Sequence, residues 1–151
     1  MSTLETLAGQ VEWAGRNLAY NLNFIPDDKI NWKPAPTADS ALEIVNHVAQ
    51  PLTGMLSMLN GGEFKPDFTP ATNREEAKEL VTRSSQAYAE KLRSLTPQDI
   101  EGTVQMPFGG EWPKARAVSI PVIDLLHHHG QIAYIQAMLG DTVSHFEEMG
   151  T

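Results

Sequence analysis

The chain has 151 residues, with 11 lysines and arginines against 19 aspartates and glutamates, a formal charge of −8 and a pI near 5.0. That balance argues against nucleic acid and anionic membrane as main partners, because both select for clustered cations, and a hydrophobic content of 41% argues against a chain too polar to fold. Cysteine is absent, which excludes disulfides, thiolate nucleophiles and every cysteine-based metal site.

The length fits a single domain over 1–151, large enough to bury a core without a disulfide or metal. The first helix is predicted from about Thr3 to Asn23, because Leu4, Leu7, Val11, Ala14, Leu18 and Leu22 recur at helical spacing. It stops before Phe24-Ile25-Pro26, and the proline-rich stretch to Asp39 reads as an ordered loop pinned by Ile30 and Trp32. Ser40-Ala41-Leu42-Glu43 is a capping-box pattern that opens a second helix. Leu42, Val45, Val48, Leu52, Met55, Leu56 and Leu59 carry its apolar face to Gly61-Gly62. Pro51 lies inside it and withholds a donor from the His47 carbonyl, so a kink is expected just after His47.

Another proline-bearing loop, 63–72, leads to Thr72-Asn73-Arg74-Glu75, read as a second capping box with Thr72 as the cap. The third helix then runs to about Ser94, with Ala77, Leu80, Val81, Ser84, Ala87, Tyr88 and Leu92 facing inward. Thr96-Pro97 starts at most a short turn of helix. Over 102–116 the pattern becomes irregular or β-like: Val104, Met106 and Phe108 alternate before Gly109-Gly110, as in a small hairpin. Ser119 is a fair N-cap for the last long helix, with Pro121 in its first turn and Gly140 at its end. That helix is apolar around most of its circumference, which places it in the centre of a bundle. Four main helices and two proline-rich loops give an all-α fold: a four-helix bundle with long crossover loops and a small irregular or β-hairpin insert near 102–116.

The last helix carries Asp124-Leu125-Leu126-His127-His128-His129-Gly130-Gln131. Asp124 and His128 are four residues apart and share a face, which Gln131 extends. A stripe of Asp, His and Gln on an apolar helix is costly unless its polar atoms find partners, and a metal ion would serve a carboxylate and a ring nitrogen together. His47, the one histidine of the earlier helices, would complete a three-ligand site with open positions. The plainer reading makes His47 and His128 hydrogen-bonded crevice residues. Adjacent helical residues point about 100° apart, so one or two of the three consecutive histidines can face one site. His127 and His129 are then a surface and a supporting residue, in unassigned order, and His145 is solvated. Glu43 shares a face with His47 but is already explained by its capping box. Trp13, Trp32 and Trp112 read as packing residues.

Two segments together resemble a known family. Ile25-Pro26-Asp27-Asp28-Lys29-Ile30-Asn31-Trp32-Lys33-Pro34, followed by Ser40 to His47, is similar to the opening of the DinB/YfiT-like family: a proline-led loop with a W-x-P element, then a helix bearing the first metal histidine. The family's last motif is H-x-x-x-H-R-G-Q, and His128-His129-Gly130-Gln131 matches its end with His in place of Arg. The resemblance covers nearly the whole chain. It implies a four-helix bundle, often dimeric, holding a divalent metal (zinc, nickel, manganese or iron) on three histidines. His47 corresponds to the first ligand and His128 to the third, while the second is Asp124 here. The implied ligand set is therefore His47, Asp124 and His128, two histidines and a carboxylate.

Relatives of this kind include metal-dependent transferases of low-molecular-weight thiols and a thiol-using isomerase. The expected function is accordingly a divalent-metal-binding protein acting as a metal-dependent transferase or hydrolase on a small-molecule substrate. A thiol would have to come from a cosubstrate. The alternative is a non-enzymatic dimeric module, metal-free or structurally metallated, that binds a ligand or protein. No basic segment followed by an apolar stretch opens the chain, and no apolar run approaches the ~18 residues of a membrane span, so a cytoplasmic location without membrane or nucleic-acid partners is expected.

Overall fold

A computed structural model describes residues 3–149. Four long helices dominate: α1 Thr3–Leu22, α2 Ala41–Leu59, α3 Arg74–Ser94 and α5 Ile120–Met138. Between the last two lie strands β1 Thr103–Gln105 and β2 Glu111–Pro113 and the single-turn helix α4 Lys114–Ala117. Helix α1 packs on α3 and α5, and α2 packs on the same two, so the consecutive helices α1 and α2 sit diagonally. That diagonal step explains the long loop 23–40, since adjacent antiparallel helices need only a few residues to connect. The same holds for α3 and α5, whose connection includes the hairpin. The expected four-helix bundle with crossover loops is thus the observed fold.

The core is one cluster fed by every long helix, with Leu18, Leu52, Tyr88 and Leu125 fully buried. Tyr88 keeps its hydroxyl satisfied there by donating to the Val118 carbonyl at 3.0 Å. Burial pushes its pKa well above the usual phenol value. Helix α1 approaches α3 through Gly15: a Cβ at that position would stand 2.1 Å from Ser85 Oγ and 2.6 Å from Ser85 Cβ.

Local signals behave as their chemistry dictates at α2. Ser40 Oγ accepts from the Glu43 backbone at 3.2 Å, and Glu43 Oε2 accepts from the Ser40 backbone at 2.8 Å. Helix α2 runs past Pro51 and closes with Gly61 at φ +87°, where Gly61 N–H donates to Met58 and Gly62 N–H to Ser57. This is the paired closure that a left-handed glycine permits. Ile30 is buried and Trp32 packs on the core, as expected for the pinned loop.

Several expectations need correction. The cap of α3 is Asn73, whose side chain accepts from Glu76 N–H at 2.9 Å, while Glu76 reaches back to Thr72 N–H and Oγ at 2.8 Å. The carboxylate that serves the cap is therefore one residue later than the sequence pattern suggested. Ser85 and Ala89 are buried on α3, whereas Ala87 is only half-buried. The hairpin exists, with Val104 opposite Trp112, but its turn leaves Phe108 63% exposed. Gly109 and Gly110 take φ of +95° and +89° there, which a side chain would oppose. Ser119 lies in the turn between α4 and α5 and its side chain does not cap: the hydroxyl donates to the Arg116 carbonyl at 2.7 Å.

Helix α5 is not central on all sides. Leu125, Ile132 and Ile135 are buried, but Ile123 is 61%, Leu126 48%, Tyr134 69% and Met138 42% exposed. Its apolar circumference exceeds what two neighbouring helices cover.

Candidate metal centre

Because α2 and α5 are neighbours, the inward turn of α5 that carries Asp124 and His128 meets the turn of α2 that carries His47. One donor atom from each of the three residues lies within 4.8 Å of the other two. The His47 and His128 rings meet edge to face with centroids 4.8 Å apart. His128 Nε2 stands 3.3 Å from Asp124 Oδ1, the contact that i, i+4 spacing makes available. His47 is exposed, Asp124 half-buried and His128 buried, so the centre opens to solvent on the α2 side.

His128 Nδ1 donates to Gln131 Oε1 at 2.6 Å. That bond places the proton on Nδ1 and leaves Nε2 on the Asp124 side, the supporting arrangement common for metal-binding imidazoles. The Asp124 carboxylate holds His128 above the ordinary imidazole pKa, with Gln131 and Asp39 acting in the same direction against burial. Asp124 Oδ2 is buried with no hydrogen-bond partner among the described residues. An orphaned carboxylate oxygen is costly, and a cation beside it would remove the cost. Two imidazoles and a carboxylate suit zinc, nickel, manganese or iron(II), so the residues present fit a divalent metal.

The remaining histidines separate. His127 is exposed, its ring 4.8 Å from that of His128, and its Nε2 lies 3.5 Å from the Gln131 amide nitrogen. His129 is buried on another face, edge-on to Phe146, and burial lowers its pKa. It supports the C-terminal segment rather than the metal centre. His145 is not solvated as expected: it stacks on Phe24 at 3.4 Å and donates from Nε2 to Asp141 at 2.7 Å. Glu43 keeps its capping role and also pairs with Lys33 at 2.7 Å. Trp32 packs on the core, Trp13 stacks on Phe146, and Trp112 lies under the Arg116 guanidinium.

Sequence reasoning missed the polar network that fastens the C-terminal segment. Asn21 donates to Gln136 Oε1, and Gln136 Nε2 donates to the carbonyls of Asp141 and Val143 at 2.9 and 2.7 Å. Asn17 accepts from Glu147 N–H at 3.1 Å. Asn17, Asn21 and Gln136 at inward helical positions were the available signal.

Three solved structures share this architecture. The DinB-like protein YjoA of Bacillus subtilis matches with a TM-score of 0.75 at 16% identity, over 93% of this chain and 96% of that one. A conserved protein of Enterococcus faecalis matches with a TM-score of 0.78 at 15% identity, over 93% and 99%. YfiT of Bacillus subtilis, described as "a probable metal-dependent hydrolase with an unusual four-helix bundle topology", matches with a TM-score of 0.77 at 13% identity, over 93% and 90%. No curated protein matches the chain significantly. Residues 10–132 match the sequence profile of the DinB superfamily, and the chain belongs to that family.

Proposed function

We propose that this chain is a divalent-metal-dependent enzyme, a hydrolase or a transferase that borrows a low-molecular-weight thiol, with His47, Asp124 and His128 as the metal ligands. Asp124 carries this reading: it belongs to a cluster of three donor residues, and its buried Oδ2 has no hydrogen-bond partner among the described residues. The description of YfiT as a metal-dependent hydrolase supports the same class of chemistry. A divalent ion bound here would lower the pKa of a water or thiol and polarise an electrophile. Gln131 orients His128 for that ion, and exposed His47 stands where a small substrate enters. With no cysteine in the chain, any thiol is a cosubstrate.

The test is metal analysis of untagged protein after chelation and reconstitution with zinc, nickel, manganese or iron(II). Wild type is expected to hold one equivalent, and His47→Ala and His128→Ala much less. Equal loading of all three proteins, or none in wild type, overturns the ligand assignment. Turnover of electrophiles with thiol cosubstrates, against hydrolysis of esters and amides, then separates transferase from hydrolase.

The rival reading is a dimeric binding module without turnover, and the exposed stripe of α5 is the observation in its favour. The dimer itself is common to both readings. Gly130 lies in the middle of that stripe, between Leu126 and Tyr134, and a Cβ there would meet nothing within 4 Å. A glycine costs an exposed helix about 1 kcal/mol, but it lets a second helix approach closely. A second copy crossing α5 at Gly130 would bury the stripe of both chains at once. Among the described residues, no helix is long and apolar enough to cross a membrane, so a bilayer-spanning role for this face has no support.

A further inference from the structure

Beside the proposed metal centre, α5 and the hairpin segment enclose a groove of about 320 Å³. Ile120 and Ile123 of α5, Trp112 of β2 and Arg116 of α4 form its walls, and Asp124 belongs to both the groove and the donor cluster. The Arg116 guanidinium lies 3.9 Å above the Trp112 ring. Arg16, Arg74 and Arg93 each pair with a carboxylate, whereas among the described residues no carboxylate pairs with Arg83 or Arg116, and of those two only Arg116 lines the groove. The groove's other charged side chain is Asp124, which the metal-dependent reading gives to an ion, so Arg116 is the charged group left for a substrate.

A guanidinium that meets an indole over its face still has planar edge N–H groups to offer a ligand. That fork matches a carboxylate, which it can bind through two parallel hydrogen bonds. The walls on either side are apolar, and the volume is that of a small molecule. One guanidinium balances one negative charge, so a monoanionic carboxylate suits the groove better than a dianionic phosphate.

We propose that this groove is the substrate subsite and takes a small organic carboxylate, its carboxylate on Arg116 and its apolar body between Trp112, Ile120 and Ile123. The reacting bond then lies toward Asp124. The assignment of this subsite to catalysis rests on the metal-dependent reading above, but carboxylate recognition by Arg116 does not. Arg116 is a binding residue and Trp112 positions it.

Phenylacetate, its neutral analogue phenylacetamide, and phenyl phosphate serve as probes. Each is titrated into the full chain, both zinc-supplemented and chelator-treated, with the Trp112 indole N–H followed by NMR. Phenylacetate is expected to shift that signal and to bind about tenfold tighter than phenylacetamide, the effect of a charge-assisted pair. Arg116→Gln should remove the preference and Arg116→Lys keep part of it, with metal content equal to wild type in both. The proposal is overturned by equal binding of acid and amide, by tighter binding of phenyl phosphate, by an Arg116→Gln variant that keeps the preference, or by no binding of any probe. Should wild type hold no metal, the metal-dependent reading fails separately, and the acid-against-amide comparison on metal-free protein still decides this one.

Discussion

His128 and Gln131, one turn apart on α5, are joined by a 2.6 Å hydrogen bond from Nδ1 to the side-chain carbonyl, and that bond leaves Nε2 facing Asp124. The amide thereby sets which nitrogen is available to a metal. Gln131→Ala is expected to weaken metal binding about 10–100-fold, the usual cost of losing such a partner. Gln131→Glu should retain most affinity because it keeps the acceptor. Isothermal titration of chelated protein with zinc reads both. A Gln131→Ala variant with wild-type affinity would show that His128 is oriented by packing alone.

Metal should also stabilise the fold. An ion present at about 100 times its Kd adds about 2.7 kcal/mol by mass action, provided the unfolded chain does not bind it. For a domain of this size that is a rise of several degrees in Tm. His47 is exposed, so His47→Ala should leave the metal-free Tm nearly unchanged, within about 0.5 kcal/mol, while abolishing the metal-induced rise. Thermal scans with and without zinc separate ligand loss from misfolding.

Two glycines of α1 should respond in opposite directions to the same substitution. Nothing lies within 4 Å of a Cβ built at Gly9, so Gly9→Ala should stabilise by about 0.5–1 kcal/mol through helix propensity alone. At Gly15 the same gain is outweighed, because the new methyl would stand 2.6 Å from Ser85 Cβ and overpacking costs about 1–3 kcal/mol. Gly15→Ala combined with Ser85→Gly removes the overlap and should recover the contact-related part of the loss. Denaturant midpoints of the single and double variants measure this coupling.

Asp141 gives the acid limb of stability a traceable component. The hydrogen bond from His145, followed by that from the Val143 backbone, holds its pKa below the ordinary carboxylate value. A group with a lowered folded-state pKa stabilises above its unfolded value of about 3.9, and that stabilisation is lost as the pH falls through the folded value. Wild type should therefore exceed Asp141→Asn in stability near neutrality, and the two should converge in acid. The half-buried Asp141 side chain still meets solvent, so the difference is small. Urea midpoints across pH 2–7 give its sign, and a gap that widens in acid would contradict it.

The exposed stripe of α5 predicts an assembly defect without a folding defect. Wild type should sediment as a dimer, and Tyr134→Glu as a monomer of unchanged helix content. Gly130→Ala should raise helix propensity yet weaken the dimer, since the methyl occupies the proposed crossing point. A monomeric wild type, or a dimer indifferent to both changes, removes the second copy from that face.

The sequence by itself determined the four helices, the Ser40 cap, the glycine closure of α2 and the pairing of Asp124 with His128, because each depends on contacts within one or two helical turns. The segment resemblance added the family. Where a local pattern had two solutions one residue apart, as at Thr72 and Asn73, backbone geometry chose between them. Ser119 lost its capping role because its hydroxyl is spent on the Arg116 carbonyl across the short turn between α4 and α5. The tertiary structure alone decided that α2 and α5 are neighbours, which brings His47 within reach of residues about 80 positions away. It also decided that one apolar face of α5 is left uncovered and that His145 is stacked on Phe24. Helical periodicity records which residues share a face, but the face a neighbour covers is set by long-range packing, and no local pattern encodes it.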